Sequence, residues 1–150
     1  MIIALFGENC TGKSSVASEL KTRLSAEVFS GKDYLRFAKN EAAAKAAFSA
    51  HLRKLADDPA RHAVYVAAEP EQLALLPEKA LRVLVTAEPD VIKTRFAARM
   101  GGRLPAPVAA MLERKHGSFD GLPHELHLRD GNQTPAEAAE TICALLAARA

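Results

Sequence analysis

The stretch Gly7-Glu8-Asn9-Cys10-Thr11-Gly12-Lys13-Ser14 decides how the rest of the chain is read. Glycine adopts backbone angles closed to other residues, so Gly7 and Gly12 let the chain curl and turn its N–H groups toward one side. The run Ile2-Ile3-Ala4-Leu5-Phe6 before it is continuously apolar, as in a strand buried on both faces. After it, Val16, Leu20 and Leu24 recur every fourth residue, the apolar side of a helix beginning near Lys13. A glycine-rich octamer standing alone can be only a turn. Between a buried strand and a helix, it sets inward-facing N–H groups beside the positive amino end of that helix, which is an anion site. A triphosphate fits this pattern: Lys13 is expected to reach its β and γ phosphates, and the Ser14 hydroxyl to ligate magnesium. Asn9, Cys10 and Thr11 complete the cradle, and Glu8 is expected to face solvent within it.

Four further strands are expected along the chain. Ala26–Phe29 is a short one, His62–Ala68 and Leu81–Thr86 are stronger, and Glu125–Arg129 is the last. Helical patterns lie between them. One runs from Tyr34 to about Leu55 with an interruption near Asn40, a short one follows Pro70, and others cover Glu88–Arg99 and the residues up to Lys115. The final helix has a legible start: Thr134 as cap, Pro135 in the first position and Glu137 three residues after the cap. Strands alternating with helices predict one α/β sandwich on a mostly parallel, five-stranded sheet, and 150 residues suit a single domain.

Composition excludes some partners. A formal net charge of +2 gives no general basis for binding nucleic acid or an anionic membrane surface. No apolar stretch approaches the ~20 residues needed to cross a bilayer, and the apolar start lacks the basic head of a secretory signal. Cys10 and Cys143 make no disulfide framework, and no His–Cys spacing matches a zinc site. The expected location is the cytoplasm, with both thiols reduced.

In a parallel sheet, ligands bind where strands end and the following helices begin. That places Asp33 and Glu69 on the same edge as Gly7. Asp33 is suited to orient an acceptor hydroxyl or take its proton, or else caps the following turn. Glu69 is suited to hold magnesium through water or orient an attacking group, or else sits at a helix amino end for its dipole. Arg36, one turn after Asp33, is a candidate for gripping an acceptor. Arg95 and Arg99 are four residues apart on one helical face, and Arg103 follows the pair Gly101-Gly102. Three guanidiniums beside a hinge are suited to cover phosphates and stabilise charge on a transferring group. The alternative is a solvated basic helix end.

The octamer, Asp33-Tyr34-Leu35-Arg36, the strand ending in Glu69 and the trio Arg95, Arg99, Arg103 together resemble the nucleoside-monophosphate-kinase-like branch of the phosphate-loop fold. The resemblance implies a three-layer sandwich with a five-stranded parallel sheet in the order 2-3-1-4-5. It implies ATP as phosphoryl donor, magnesium as cofactor, and Lys13 with the arginines as transfer groups. Asp33 and Arg36 would lie in a reduced acceptor module spanning 31–58, and residues 99–108 would form a short lid. The turn from Asp130 to Thr134, including Asn132, would lie near the nucleotide base. The usual base-selecting residues of any one monophosphate kinase have no match, so a small metabolite of the shikimate or gluconate kind is an equal acceptor. Two non-kinase readings stand beside this one: a nucleotide-binding switch, and an ATPase acting on nucleic acid.

Overall fold

The computed structural model describes residues 1–149. The strands are β1 (Ile2–Phe6), β2 (Glu27–Ser30), β3 (Ala63–Ala67), β4 (Leu81–Thr86) and β5 (Leu126–Arg129). The helices are α1 (Lys13–Leu24), α2 (Glu41–Ala56), α3 (Pro89–Arg99), α4 (Ala106–Lys115) and α5 (Pro135–Arg149), with short 3-10 turns at Asp33–Phe37 and Pro70–Leu75. All strand pairs are parallel and the order is β2-β3-β1-β4-β5. This is the three-layer sandwich expected from the sequence.

The two-residue period of β1 explains why its run is apolar without interruption. Ile3 and Leu5 face one layer, packing with Val16 and Leu20 of α1 and Ile142 and Leu146 of α5. Ile2 and Ala4 face the other, packing with Phe48, Leu52 and Leu55 of α2 and with Tyr65 of β3. A fully buried side chain of this size contributes about 1.5–3 kcal/mol. The break expected near Asn40 is real: its side chain accepts from the Ala43 N–H at 2.8 Å and starts α2 afresh after the 3-10 turn. At α5, the Thr134 hydroxyl accepts from Glu137 N–H at 3.1 Å and the Glu137 carboxylate from Thr134 N–H at 2.9 Å. Both orphan donors are satisfied reciprocally, as the sequence predicts.

Two smaller clusters position the site. Cys10 of the loop is buried with Ala87, Ile92 and Leu112, so α3 and α4 pack directly on the loop. Phe119, beyond α4, is buried against Phe6 at the end of β1 with ring centres 5.9 Å apart. Both thiols are free, and no described helix is long and apolar enough to cross a membrane.

Gly7 is the tightest point in the fold. Its φ is +153°, and a Cβ placed there would lie 2.1 Å from the main-chain oxygen of Val85. Backbone does not yield as a side-chain tip does, so Gly7→Ala is expected to cost more than about 2 kcal/mol. Denaturant midpoints of the two proteins measure this; equal midpoints would refute the close approach.

Candidate functional site

The loop leaves the central strand between β3 and β4 and meets the amino end of α1. Cys10 has φ +65° and Gly12 φ +95°, so two left-handed residues bend the chain before the helix. A non-glycine residue in that region is uncommon. Here the burial of the Cys10 side chain against α3 and α4 holds the conformation.

Lys13 is 6% exposed and lies back along the loop. Its ammonium donates to the carbonyls of Gly7 at 2.8 Å and Glu8 at 2.5 Å and approaches Thr11 Oγ1 at 3.4 Å. Thr11 Oγ1 itself donates to the Glu8 carbonyl at 3.0 Å. Burial lowers the Lys13 pKa to about 8; the Glu8 charge opposes that shift and Arg99 adds to it. The reach of Arg99 to Lys13 places that guanidinium in the field of the loop.

Three clefts meet around the loop. One, of about 370 Å³, is bounded by Gly12, Ser15, Arg95, Arg99, Asp130 and the segment Gln133–Pro135. A second, of about 320 Å³, holds Lys13, Ser14, Ser30, Gly31, Ala68 and Arg99. The third and roomiest, of about 510 Å³, has an apolar wall of Met111, Leu112 and Phe119 and a charged rim of Lys32, Glu69, Glu71 and Lys115. Arg99 is common to the first two, while Asn9, Gly31 and Ala68 are common to the second and third. The loop of residues 7–14 thus stands between the arginine-lined recess and the apolar-walled one. Tyr65 fixes part of the divide: its hydroxyl donates to the Gly31 carbonyl at 2.7 Å, and burial raises its pKa.

The fold is that of the phosphate-loop kinases. The chain superposes on the crystal structure of an uncharacterized protein from Eubacterium ventriosum with a TM-score of 0.69, 18% identity and 98% of each chain covered. It superposes on shikimate kinase from Acinetobacter baumannii, in complex with shikimate, with a TM-score of 0.65 and 14% identity over 99% of this chain and 93% of that one. With YorR from Bacillus subtilis, in complex with phosphorylated GDP, the TM-score is 0.62 and the identity 22%, over 99% and 97%. No protein-family model matches the chain, and no curated protein matches it either. Similarities this distant establish the architecture, and they do not single out the nucleoside-monophosphate-kinase branch that the sequence resembles.

The sequence-predicted residues fall into distinct groups. Gly7, Asn9, Cys10, Thr11, Gly12, Lys13 and Ser14 line the loop and its clefts, with Ser14 exposed in the second. Arg95 and Arg99 project to the loop together. Arg95 donates to the Cys10 carbonyl at 3.0 Å and to Asp130 Oδ1 at 2.9 Å. Glu69 lies on the rim of the third cleft. Asp33 and Arg36 are turned elsewhere: the Asp33 carboxylate accepts from Ser30 N–H at 2.9 Å and sits 3.6 Å from the exposed Arg36 guanidinium. Neither lines any of the three clefts, nor does the exposed Arg103. Asn132 is exposed, its N–H donating to the Arg129 carbonyl at 3.2 Å, and its neighbours Asp130 and Gln133 face the first cleft instead.

Glu8 corrects an expectation. Its side chain is only 11% exposed, bonded to His116 and to the Gly117 N–H instead of solvent. The reason is that the segment after α4 folds over the loop, a long-range contact without local signal. Asp130 is expected from the resemblance only as the first residue of a turn acting through its backbone, whereas its carboxylate holds Arg95 and lines the first cleft. Met111, Leu112 and Phe119 carry no functional signal in the sequence, because nothing in their spacing tells a cleft wall from an interior.

The Lys13 environment has a measurable consequence. A lysine whose folded pKa falls below its unfolded value destabilises the fold fully below the folded pKa, and the cost is relieved as pH rises from about 8 to 10.5. Unfolding free energy should therefore rise with pH across that window more steeply in the native protein than in Lys13→Met, by up to one proton's worth of slope. Parallel slopes would remove the claim that this ammonium is desolvated.

Proposed function

We propose that the chain is an ATP- and magnesium-dependent kinase that phosphorylates a small hydroxylated metabolite. The supporting observation is the position of Lys13 and Ser14 between two recesses, one rich in arginine and the other walled by apolar side chains. A triphosphate needs a cationic cradle, and an acceptor needs a separate pocket that opens onto its terminal phosphate. A nucleotide switch requires only the first.

In this reading the base and ribose occupy the recess of Arg95, Asp130 and Gln133–Pro135, and the phosphates follow the loop to Lys13. Asn132 would contribute through its backbone, as part of the turn that carries Asp130 and Gln133. The acceptor lies along Met111, Leu112 and Phe119 with its hydroxyl toward the shared residues Asn9, Gly31 and Ala68. Its hydroxyl oxygen attacks the γ phosphorus in line and releases its proton to solvent, the bond to the β–γ bridging oxygen breaks, and ADP leaves with that electron pair. Lys13 and Arg99 meet the charge spread over the transferring group, and Arg103 would join them when the segment 99–108 closes as a lid.

Among the described residues no three His, Cys, Asp or Glu side chains cluster to hold a metal. Magnesium does not need such a cluster, since it keeps several waters and takes one or two protein oxygens beside the phosphates. The exposed Ser14 hydroxyl fits that demand, and Glu69, across the residues shared by two clefts, would act through a water or orient the acceptor. Magnesium held there would neutralise charge between the β and γ phosphates.

The charge of the acceptor recess favours a metabolite over a nucleoside monophosphate. A monophosphate is usually gripped by guanidinium forks, and among the described residues no arginine lines this cleft, where the carboxylates Glu8, Glu69 and Glu71 outnumber the ammoniums of Lys32 and Lys115. Arg36 would reach an acceptor phosphate only by leaving Asp33.

Transfer from γ-labelled ATP should be measured across hydroxylated metabolites and nucleoside monophosphates. Product is expected with a phosphate-free acceptor, with Lys13→Met lowering the rate at least ~100-fold and Arg99→Ala ~10-fold or more. Transfer confined to monophosphates would return Arg36 to the centre of the site. Tight ATP binding without product across the panel would favour the switch.

Arg95 makes a separate prediction through its partner. Asp130→Ala frees the guanidinium from one of its two anchors and should weaken nucleotide binding roughly 5- to 20-fold by calorimetry, a loss of a charged hydrogen bond. Unchanged affinity would show that Arg95 is placed by Cys10 alone.

A further inference from the structure

We propose that Glu8 is a positioning residue that couples the phosphate loop to the wall of the acceptor cleft, an inference that rests on the nucleotide site proposed above. Its two ends reach different elements. The main-chain carbonyl accepts from Lys13 Nζ and from Thr11 Oγ1. The carboxylate, nearly enclosed, lies 3.2 Å from His116 Nδ1 and accepts from the Gly117 N–H at 3.3 Å.

His116 caps the carboxyl end of α4, and Gly117, at φ +79°, turns the chain so that its N–H meets Glu8. Immediately before this corner stand Met111, Leu112 and Lys115, and immediately after it stands Phe119. Those residues are one wall of the acceptor cleft. A single residue therefore separates the phosphate-binding ammonium from that wall.

The donor count makes the link responsive. An ammonium has three N–H donors, and Lys13 directs its own to Gly7, Glu8 and Thr11. Binding a phosphate oxygen must withdraw at least one of them. In this proposal the bond given up is the one to Glu8, whose backbone loses a charged partner while its carboxylate stays fastened to the corner after α4. The wall must answer a change at the loop, and by linkage the loop answers a change at the wall.

Hydrogen exchange of the full chain, with and without magnesium and a nonhydrolysable ATP analogue, tests this. In the native protein the analogue should protect 7–14 and also shift exchange in 111–119 by about fivefold or more. His116→Ala should keep the protection of 7–14 and lose the shift in 111–119, while His116→Gln, which can still donate to the carboxylate, should restore part of it. If His116→Ala does not fold, Glu8→Gln is read instead, and must at least halve the shift. An undiminished shift in either variant overturns the coupling, and so does protection of 7–14 in the native protein with no change in 111–119. No protection of 7–14 in the native protein would remove the nucleotide site itself, and the coupling with it.

Discussion

A short length of backbone between a buried strand and a helix must turn its N–H groups to one side, and something must hold it there. Lys13 does the holding. Its ammonium satisfies carbonyls at the start of the same loop, so the curl is closed by a charge from its own end. The arrangement is costly, because the ammonium is desolvated and its pKa falls. A polyanion relieves that cost by restoring an opposite charge. A desolvated ammonium is in this sense better matched to an anion than to water alone.

Everything near the loop is arranged around that constraint. Gly7 can follow the Val85 carbonyl only because it lacks a side chain, so β4 fixes the height at which the curl begins. Cys10 holds its left-handed angle because α3 and α4 close over its side chain. Those helices cannot be moved far without loosening the loop. Their packing on Cys10 is thus the mechanical base for Arg95 and Arg99 as well as for the apolar wall of the third cleft.

How much of this was legible in the sequence follows from the range of each interaction. The octamer, the strand before it and the helix after it are contiguous, and local spacing was enough to read them. So were the restart of α2 at Asn40 and the Thr134–Glu137 box, where each cap lies within three residues of its partner. The strand order came from resemblance, because periodicity says which segments are strands but not which are neighbours. Glu8 was misjudged because its partners are 108 and 109 residues away. The apolar wall of the third cleft is silent in the sequence for a different reason. Met111, Leu112 and Phe119 are apolar whether they face the core or a cleft, so burial pattern alone is silent about them.

The arginines show how one motif divides once geometry is added. In the sequence Arg95, Arg99 and Arg103 are a single basic group with equivalent roles. Arg95 is already committed, held between the Cys10 carbonyl and Asp130, so its position is set before any ligand arrives. Arg99 has no such anchors, lines two clefts, and reaches Lys13 electrostatically. A preset guanidinium suits the constant part of a nucleotide, whereas a free one suits a group whose charge moves during reaction. Arg103 lies beyond Gly101 and Gly102, both at positive φ and with open space where a side chain would begin, and it touches neither recess. For Arg103 to act on a phosphate, that glycine pair would have to move, and its N–H groups would give up the Ala98 and Ala97 carbonyls that close the end of α3.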